Sequence, residues 1–287
     1  MTGNVIIVGA PRSGTNMLRD VLTDLPGFAT WPCDEINFVW KHGNRTYPSD
    51  ELRSEHARPE VTAYLRAAFA KIGRARRAHT VVEKTCATSL RLEFVAQSFP
   101  DARYIFIHRD GIDAAASAMQ RWNASFDLAY TAKKARYVPP TDVPYYARTF
   151  ISRLIERCRA AATKDRRKVT TWWGPRPDDA ATLQAKHPLD ELSAIQWQRC
   201  VEATLRGLQN IEAGRVLDVR YEAFVTSPSD ELGRILDFLG HPELAGRAAL
   251  SGISASSVGK GRASLASDAV VRMEGLAGPT LDKLGYA

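Results

Sequence analysis

The groups in this chain that could do chemistry fall at a few places. The first is Arg12, inside Gly9-Ala-Pro-Arg-Ser-Gly-Thr15. A guanidinium and several backbone N–H groups converging on one turn suit a phosphate or sulfuryl oxygen. Gly9 and Gly14 have the spacing of a nucleotide-triphosphate loop, but Thr15 and Asn16 stand where Lys and Ser/Thr would follow. The hydroxyl that would hold Mg²⁺ is missing, and the cation is Arg12 itself. The second place is the acid pair Asp34 and Glu35, among Trp31, Phe38 and Trp40. A carboxyl among aromatics can have a raised pKa and act as a general base. The pair would equally suit the first turn of a short helix. Lys84 follows Glu83 at the end of an apolar run, either as a site cation or as the partner in a simple ion pair. Ser117 and Arg121 are four residues apart on one helix face, and Arg109 precedes them; together they could hold a second phosphate, well away from the first.

The elements that must position these groups are legible in the apolar pattern. Val5–Val8 is a β-branched apolar run, the mark of a strand buried on both faces. Met17, Leu18, Val21, Leu22 and Leu25 then fall at helical spacing from Thr15 until Pro26-Gly27. The spacing predicts further strands at 80–85, 104–107 and 216–221. It predicts helices over 60–73, through Leu90–Phe99, from Ile112, over 190–213 and over 227–239 with Gly240 as the stop. Lys84 and Arg109 close their strands, at the edge where α/β proteins bind ligands. Residues 123–190 read as a Pro-rich, basic and aromatic stretch of the kind that forms lids or acceptor walls. Ser257–Arg262 reads as a flexible basic loop, and the last helix as interrupted near Pro279.

The totals describe one domain over residues 1–287, with 123–190 as a lid or acceptor-side insertion. A formal charge of +7 favours anionic ligands. Cys33, Cys86, Cys158 and Cys200 are widely spaced, without C-x-x-C or metal-ligand spacing, and read as packed, reduced thiols. No apolar stretch is long enough for a transmembrane anchor, and no signal peptide opens the chain, so the expected location is cytoplasmic.

With these pieces placed, the chain resembles the sulfotransferases that use 3′-phosphoadenosine 5′-phosphosulfate (PAPS). Gly9–Thr15 resembles their 5′-phosphosulfate loop, in the arginine form of the tyrosylprotein sulfotransferases and related bacterial enzymes. Arg109 and Ser117 resemble the 3′-phosphate clamp, and Arg121 a further arginine of the tyrosylprotein branch. Glu83-Lys84-Thr85 resembles the Glu-Lys-Ser/Thr segment of bacterial and glycan sulfotransferases, whose lysine faces the transferred group. Arg220-Tyr221-Glu222 and Gly259-Lys260-Gly-Arg262 are similar to a strand end and a late loop beside the nucleotide. The family's general base matches Glu35, with Asp34 as competitor.

The resemblance implies a P-loop-type, three-layer α/β fold with a central, mainly parallel sheet flanked by helices. It implies direct sulfuryl transfer from PAPS to an acceptor hydroxyl of a carbohydrate, peptide tyrosine or small molecule. Glu35, Lys84 and Arg12 would be catalytic, and no metal would be needed. Pro11, Arg12, Ser13, Gly14, Thr15, Asn16, Arg109, Ser117, Arg121, Tyr221, Lys260 and Arg262 would bind the donor. The implied partner is the acceptor substrate, not nucleic acid, and the residues carry no signature of an oligomeric state. Trp31, Trp40, Trp172 and Trp173 would suit acceptor stacking. The rival readings are a phosphate-loop small-molecule kinase, which needs a lysine that position 15 lacks, and a non-catalytic nucleotide binder.

Overall fold

The computed structural model describes residues 3–122, 136–162 and 172–286. Its strands are β1 (Gly3–Val8), β2 (Phe28–Ala29), β3 (Thr80–Lys84), β4 (Arg103–His108) and β5 (Val216–Arg220). They form one sheet in the order β2-β3-β1-β4-β5, and every pairing is parallel. The apolar run in β1 follows from its place: it has strands on both sides and helices on both faces. Successive side chains alternate between faces. Val5 and Ile7 join one cluster with Leu18, Leu22, Ile235 and Leu236, while Ile6 and Val8 join another with Trp40, Phe69 and Phe94.

The helices are α1 (Thr15–Thr23), α2 (Asn37–Trp40), α3 (Pro59–Arg76), α4 (Leu92–Ser98), α5 (Gly111–Trp122), α6 (Val143–Ala162), α7 (Ala180–Lys186), α8 (Leu189–Leu208), α9 (Tyr221–Thr226), α10 (Pro228–Leu239), α11 (Lys260–Ser264) and α12 (Ser267–Lys283). Helices α1 and α10 cover one face of the sheet. Helices α3, α4, α5 and α8 supply the core on the other. The architecture is the three-layer α/β fold expected from the sequence. Gly240, at φ 78°, ends α10 as foreseen.

Three segments differ from their sequence reading. The expected continuous helix from Leu90 to Phe99 is a 3₁₀ turn (Cys86–Leu90) followed by α4; Arg91, at φ −137°, separates them. Helix α12 runs through Pro279, because Met273, Ala277 and Leu281 hold it in the core despite the donor that proline removes. The described part of 123–190 is more regular than its composition suggests, with α6 alone spanning 20 residues. It is entered through buried Asp142, which binds His42 and Arg45 at 2.7 Å each. The rest of that stretch, 123–135 and 163–171, lies outside the described residues.

Candidate active site

Parallel strands bring their ends to one edge, and there Gly9, Lys84, Arg109 and Tyr221 leave β1, β3, β4 and β5. The chain passes from β1 to one side of the sheet and from β4 to the other, which makes the β1/β4 crevice the switch point. The Gly9–Thr15 loop lies against that crevice. A Cβ on Gly9 would sit 2.4 Å from the carbonyl oxygen of Ile107. Gly14 has φ 88°, and a Cβ there would fall 2.5 Å from the Tyr221 ring. Only glycine fits either close approach.

Arg12 adopts φ 71°, a left-handed conformation that costs a non-glycine residue about 1–3 kcal/mol. Its Nε donates to Ser117 Oγ at 2.9 Å. The arginine of the loop and the serine of α5 therefore meet, where the spacing had suggested two sites well apart. Arg109 lies over the Tyr221 ring, 4.7 Å from its centroid, and its Nη1 donates to the Arg12 carbonyl at 3.3 Å. Burial lowers the Arg12 pKa, and the nearby charges of Arg121 and Arg109 lower it further. Ser13 Oγ and Arg109 Nε are buried without a hydrogen-bond partner. Concentrated positive charge with donors left over is a cradle for an anion. Pro11 and Thr15 are buried in the loop wall, and Asn16 is exposed in the first turn of α1.

On the β3 side, Lys84 Nζ donates to Glu35 Oε1 at 2.9 Å, and the backbone N–H of Cys86 approaches the same oxygen at 3.3 Å. Burial alone would lower the Lys84 pKa; Cys86 and Glu35 reverse the sign and hold it above its ordinary value. Burial also pushes the Cys86 thiol up to about 12. Thr85 fixes the acid-bearing segment by accepting from the Ile36 N–H at 3.1 Å and donating to Glu83. Glu83, one residue before Lys84, faces the opposite side of β3, where burial pushes its carboxyl up to about 7. Asp34 points away and pairs with Arg19 at 3.3 Å. The alternative use of these acids as caps is not realised: Ile36 is the residue before α2, and no side chain caps that helix.

The late basic segment is not a free loop. Gly259, Gly261 and Arg262 donate their backbone N–H groups to Asp113, and Arg262 pairs with Asp110 and Glu274. Tyr221 Oη lies 2.6 Å from Ser257 Oγ. Lys260 and Arg121 are exposed at the rim. Trp31 and Trp40 do not line the cleft: both are buried against Phe69, so their faces are spent on the core. Trp172 packs against Trp122, and Trp173 lies near the same ring. A separate cavity of about 420 Å³ opens at the other end of the strands, beside Tyr104 and Arg215, and holds none of these groups.

The sequence reading missed Asp110, Asp113 and Arg19. The 109/113 pair carries a usable signal, opposite charges four positions apart where a strand end leads into a helix. The pairing of Arg19 with Asp34 carries none.

The family model described as the sulfotransferase family matches residues 4–170 and 176–245. No curated protein matches the chain. Among solved structures, the sulfotransferase domain from the curacin biosynthetic pathway is 13% identical, with a TM-score of 0.54 over 100% of this chain and 99% of that one. The sulfotransferase domain of the Synechococcus PCC 7002 olefin synthase is 16% identical, with a TM-score of 0.51 over 96% and 95%. A sulfotransferase from Alicyclobacillus acidocaldarius is 15% identical, with a TM-score of 0.50 over 99% and 94%. At these identities the structures speak for the fold alone. The family model covers most of the chain, including the Arg12 loop, the Lys84 strand end and the Arg109 helix, and the chain belongs to the sulfotransferase family.

Proposed function

We propose that this protein transfers a sulfuryl group from PAPS to an acceptor hydroxyl by direct displacement. The observation that carries the reading is the convergence of Arg12, Arg109 and Arg121 at the Gly9–Thr15 loop, with Ser13 Oγ of the loop and Nε of Arg109 left without partners. PAPS supplies an activated sulfuryl group on a 5′-phosphate, with a second phosphate at the 3′ position. The Gly9–Thr15 loop, with Pro11, Ser13, Gly14, Thr15 and Asn16, suits the 5′ end. Arg109, Ser117 and Arg121, with Lys260 and Arg262 at the rim, suit the 3′-phosphate. Tyr221 forms the floor between them.

On the acceptor side, Lys84 holds the Glu35 carboxyl by donating to its Oε1, and Glu35 takes the hydroxyl proton as the new oxygen–sulfur bond forms. The bond from sulfur to the bridging phosphate oxygen breaks, and its electron pair leaves with the bisphosphate. Arg12 and Lys84 offset charge on the sulfuryl and leaving oxygens. The acceptor class is a carbohydrate, a peptide tyrosine or a small phenol, with α6 as the element closing that side.

The test is thermal protection. Adenosine 3′,5′-bisphosphate at micromolar concentration should raise the melting temperature, and ATP with Mg²⁺ should do little. Equal protection by both would favour a kinase-like site and overturn the reading. Labelled PAPS with a panel of sugars, tyrosine peptides and phenols then identifies the acceptor.

A further inference from the structure

Asp113 has no part in the chemistry proposed above, yet it is among the most heavily used side chains at the site. It is 2% exposed, in the first turn of α5. Its Oδ1 accepts from the backbone N–H of Gly261 at 2.7 Å and of Arg262 at 3.3 Å. Its Oδ2 accepts from Gly259 N–H at 2.7 Å and from Arg109 Nη2 at 3.4 Å. The same Nη2 donates to the carbonyl of Ser257. One carboxylate thus holds a clamp arginine and a segment nearly 150 residues further along the chain.

The backbone is shaped to this contact. Gly259 takes φ 71°, and a Cβ on Gly261 would lie 2.6 Å from the Asp113 Cα. A second acid shares the work: Asp110 Oδ1 accepts from the Asp113 N–H at 2.9 Å, and Asp110 Oδ2 binds the Arg262 guanidinium at 3.1 and 3.2 Å. Charge-assisted bonds to a buried carboxylate are the strong kind. They also place a negative charge beside Arg109, close to the group formed by Arg12 and Arg121, so the guanidinium groups can stay gathered before any anion arrives.

We propose that Asp113 is a positioning residue that seats the 257–262 segment against Arg109 and so makes recognition of a 3′-phosphate one unit. This rests on the reading of the Arg109 side as the 3′-phosphate pocket. Arg109 is aimed by three acceptors on separate segments: the Arg12 carbonyl, the Asp113 carboxylate and the Ser257 carbonyl. Without the carboxylate, two of those three constraints go together, because Ser257 is kept in place by the segment that Asp113 anchors. The 5′ end of the nucleotide, bound by the Gly9–Thr15 loop, does not depend on the latch.

The experiment compares the wild type with Asp113→Asn, which keeps the shape and removes the charge. Two readouts are taken: amide hydrogen exchange at Gly259, Gly261 and Arg262 without nucleotide, and calorimetric affinity for adenosine 3′,5′-bisphosphate and adenosine 5′-monophosphate. Exchange at the three amides should quicken about tenfold or more, and bisphosphate affinity should fall by a similar factor. The monophosphate should change by less than about threefold. If Asp113→Asn fails to fold, Gly261→Ala presses the same contact apart from the segment side and should give the same pattern. Unchanged exchange, or equal loss of both nucleotides, overturns the proposal. A wild type that binds neither nucleotide overturns the pocket reading and this extension of it, while the exchange result still decides whether Asp113 holds the segment.

Discussion

Lys84 Nζ lies 2.9 Å from Glu35 Oε1, across 49 positions of sequence. The lysine side chain is 2% exposed and the glutamate 29%, so the carboxylate is the more open of the two and the ammonium stands behind it. Groups coupled this closely do not act independently. Lys84→Ala and Glu35→Gln are each expected to slow turnover by about 10²–10³. The double variant should lose much less than the product of the two factors. Single-turnover rates with saturating donor provide the measurement, and multiplicative losses would show two separate roles.

Asp34 and Glu35 should separate cleanly. Asp34 is tied to buried Arg19 through a half-exposed carboxyl, a pairing that holds it apart from Glu35. Asp34→Asn is expected to keep turnover within about threefold, while Glu35→Gln retains donor affinity and loses most turnover. The reverse order in kcat would move the base to Asp34.

Arg109 should not tolerate lysine. Its guanidinium stacks on Tyr221 and donates to three acceptors in different directions, which an ammonium on a flexible stem cannot reproduce. Arg109→Lys is expected to weaken adenosine 3′,5′-bisphosphate binding nearly as much as Arg109→Ala, by about tenfold or more. Titration calorimetry on both variants decides it, and near-normal affinity in the lysine variant would make the contact a simple point charge.

Buried Glu83 makes stability depend on pH. Its folded pKa, about 7, lies above the ordinary glutamate value, so between those two values the folded state holds more proton than the unfolded one. The stabilisation is complete below the unfolded pKa and is lost as pH rises through about 7. Glu83→Gln keeps an acceptor for Thr85 and cannot ionise. Relative to the wild type, its melting temperature is expected to be several degrees higher at pH 8 than at pH 5. A difference that does not vary with pH would mean that Glu83 is ionised throughout.

Much of this was legible in the sequence because its causes are local. The step at Gly9–Thr15 from a continuous apolar run to helical spacing marks a strand, a turn and a helix whatever the rest of the chain does. Lys84 and Arg109 close apolar runs, and parallel strands of a sheet end at one edge. What escaped depends on partners distant in sequence. Arg12 meets Ser117, and Asp113 meets Gly259, only because α5 starts beside the first loop and the last segment folds back over it. Trp31 and Trp40 read as cleft aromatics for the same reason: nothing local shows that Phe69 will cover them. The proline-rich entry to α6 hid a long helix, since its anchor, Asp142, binds residues about a hundred positions earlier.

The strand order has a consequence for how the protein is made. The central strand β1 is synthesised first but gains its second neighbour only when β4 emerges, and β5 closes the sheet later still. Tyr221, which packs under Arg109, and Ser257, whose carbonyl binds it, follow β5. Parallel pairings between distant segments are slow to form. Until Tyr221 and Ser257 have left the ribosome, Arg109 stands without the ring and the carbonyl it packs against, so the proposed anion site is completed only after all five strands exist. A chain stalled before Tyr221 has the Gly9–Thr15 loop but lacks the ring that Gly14 and Arg109 pack against.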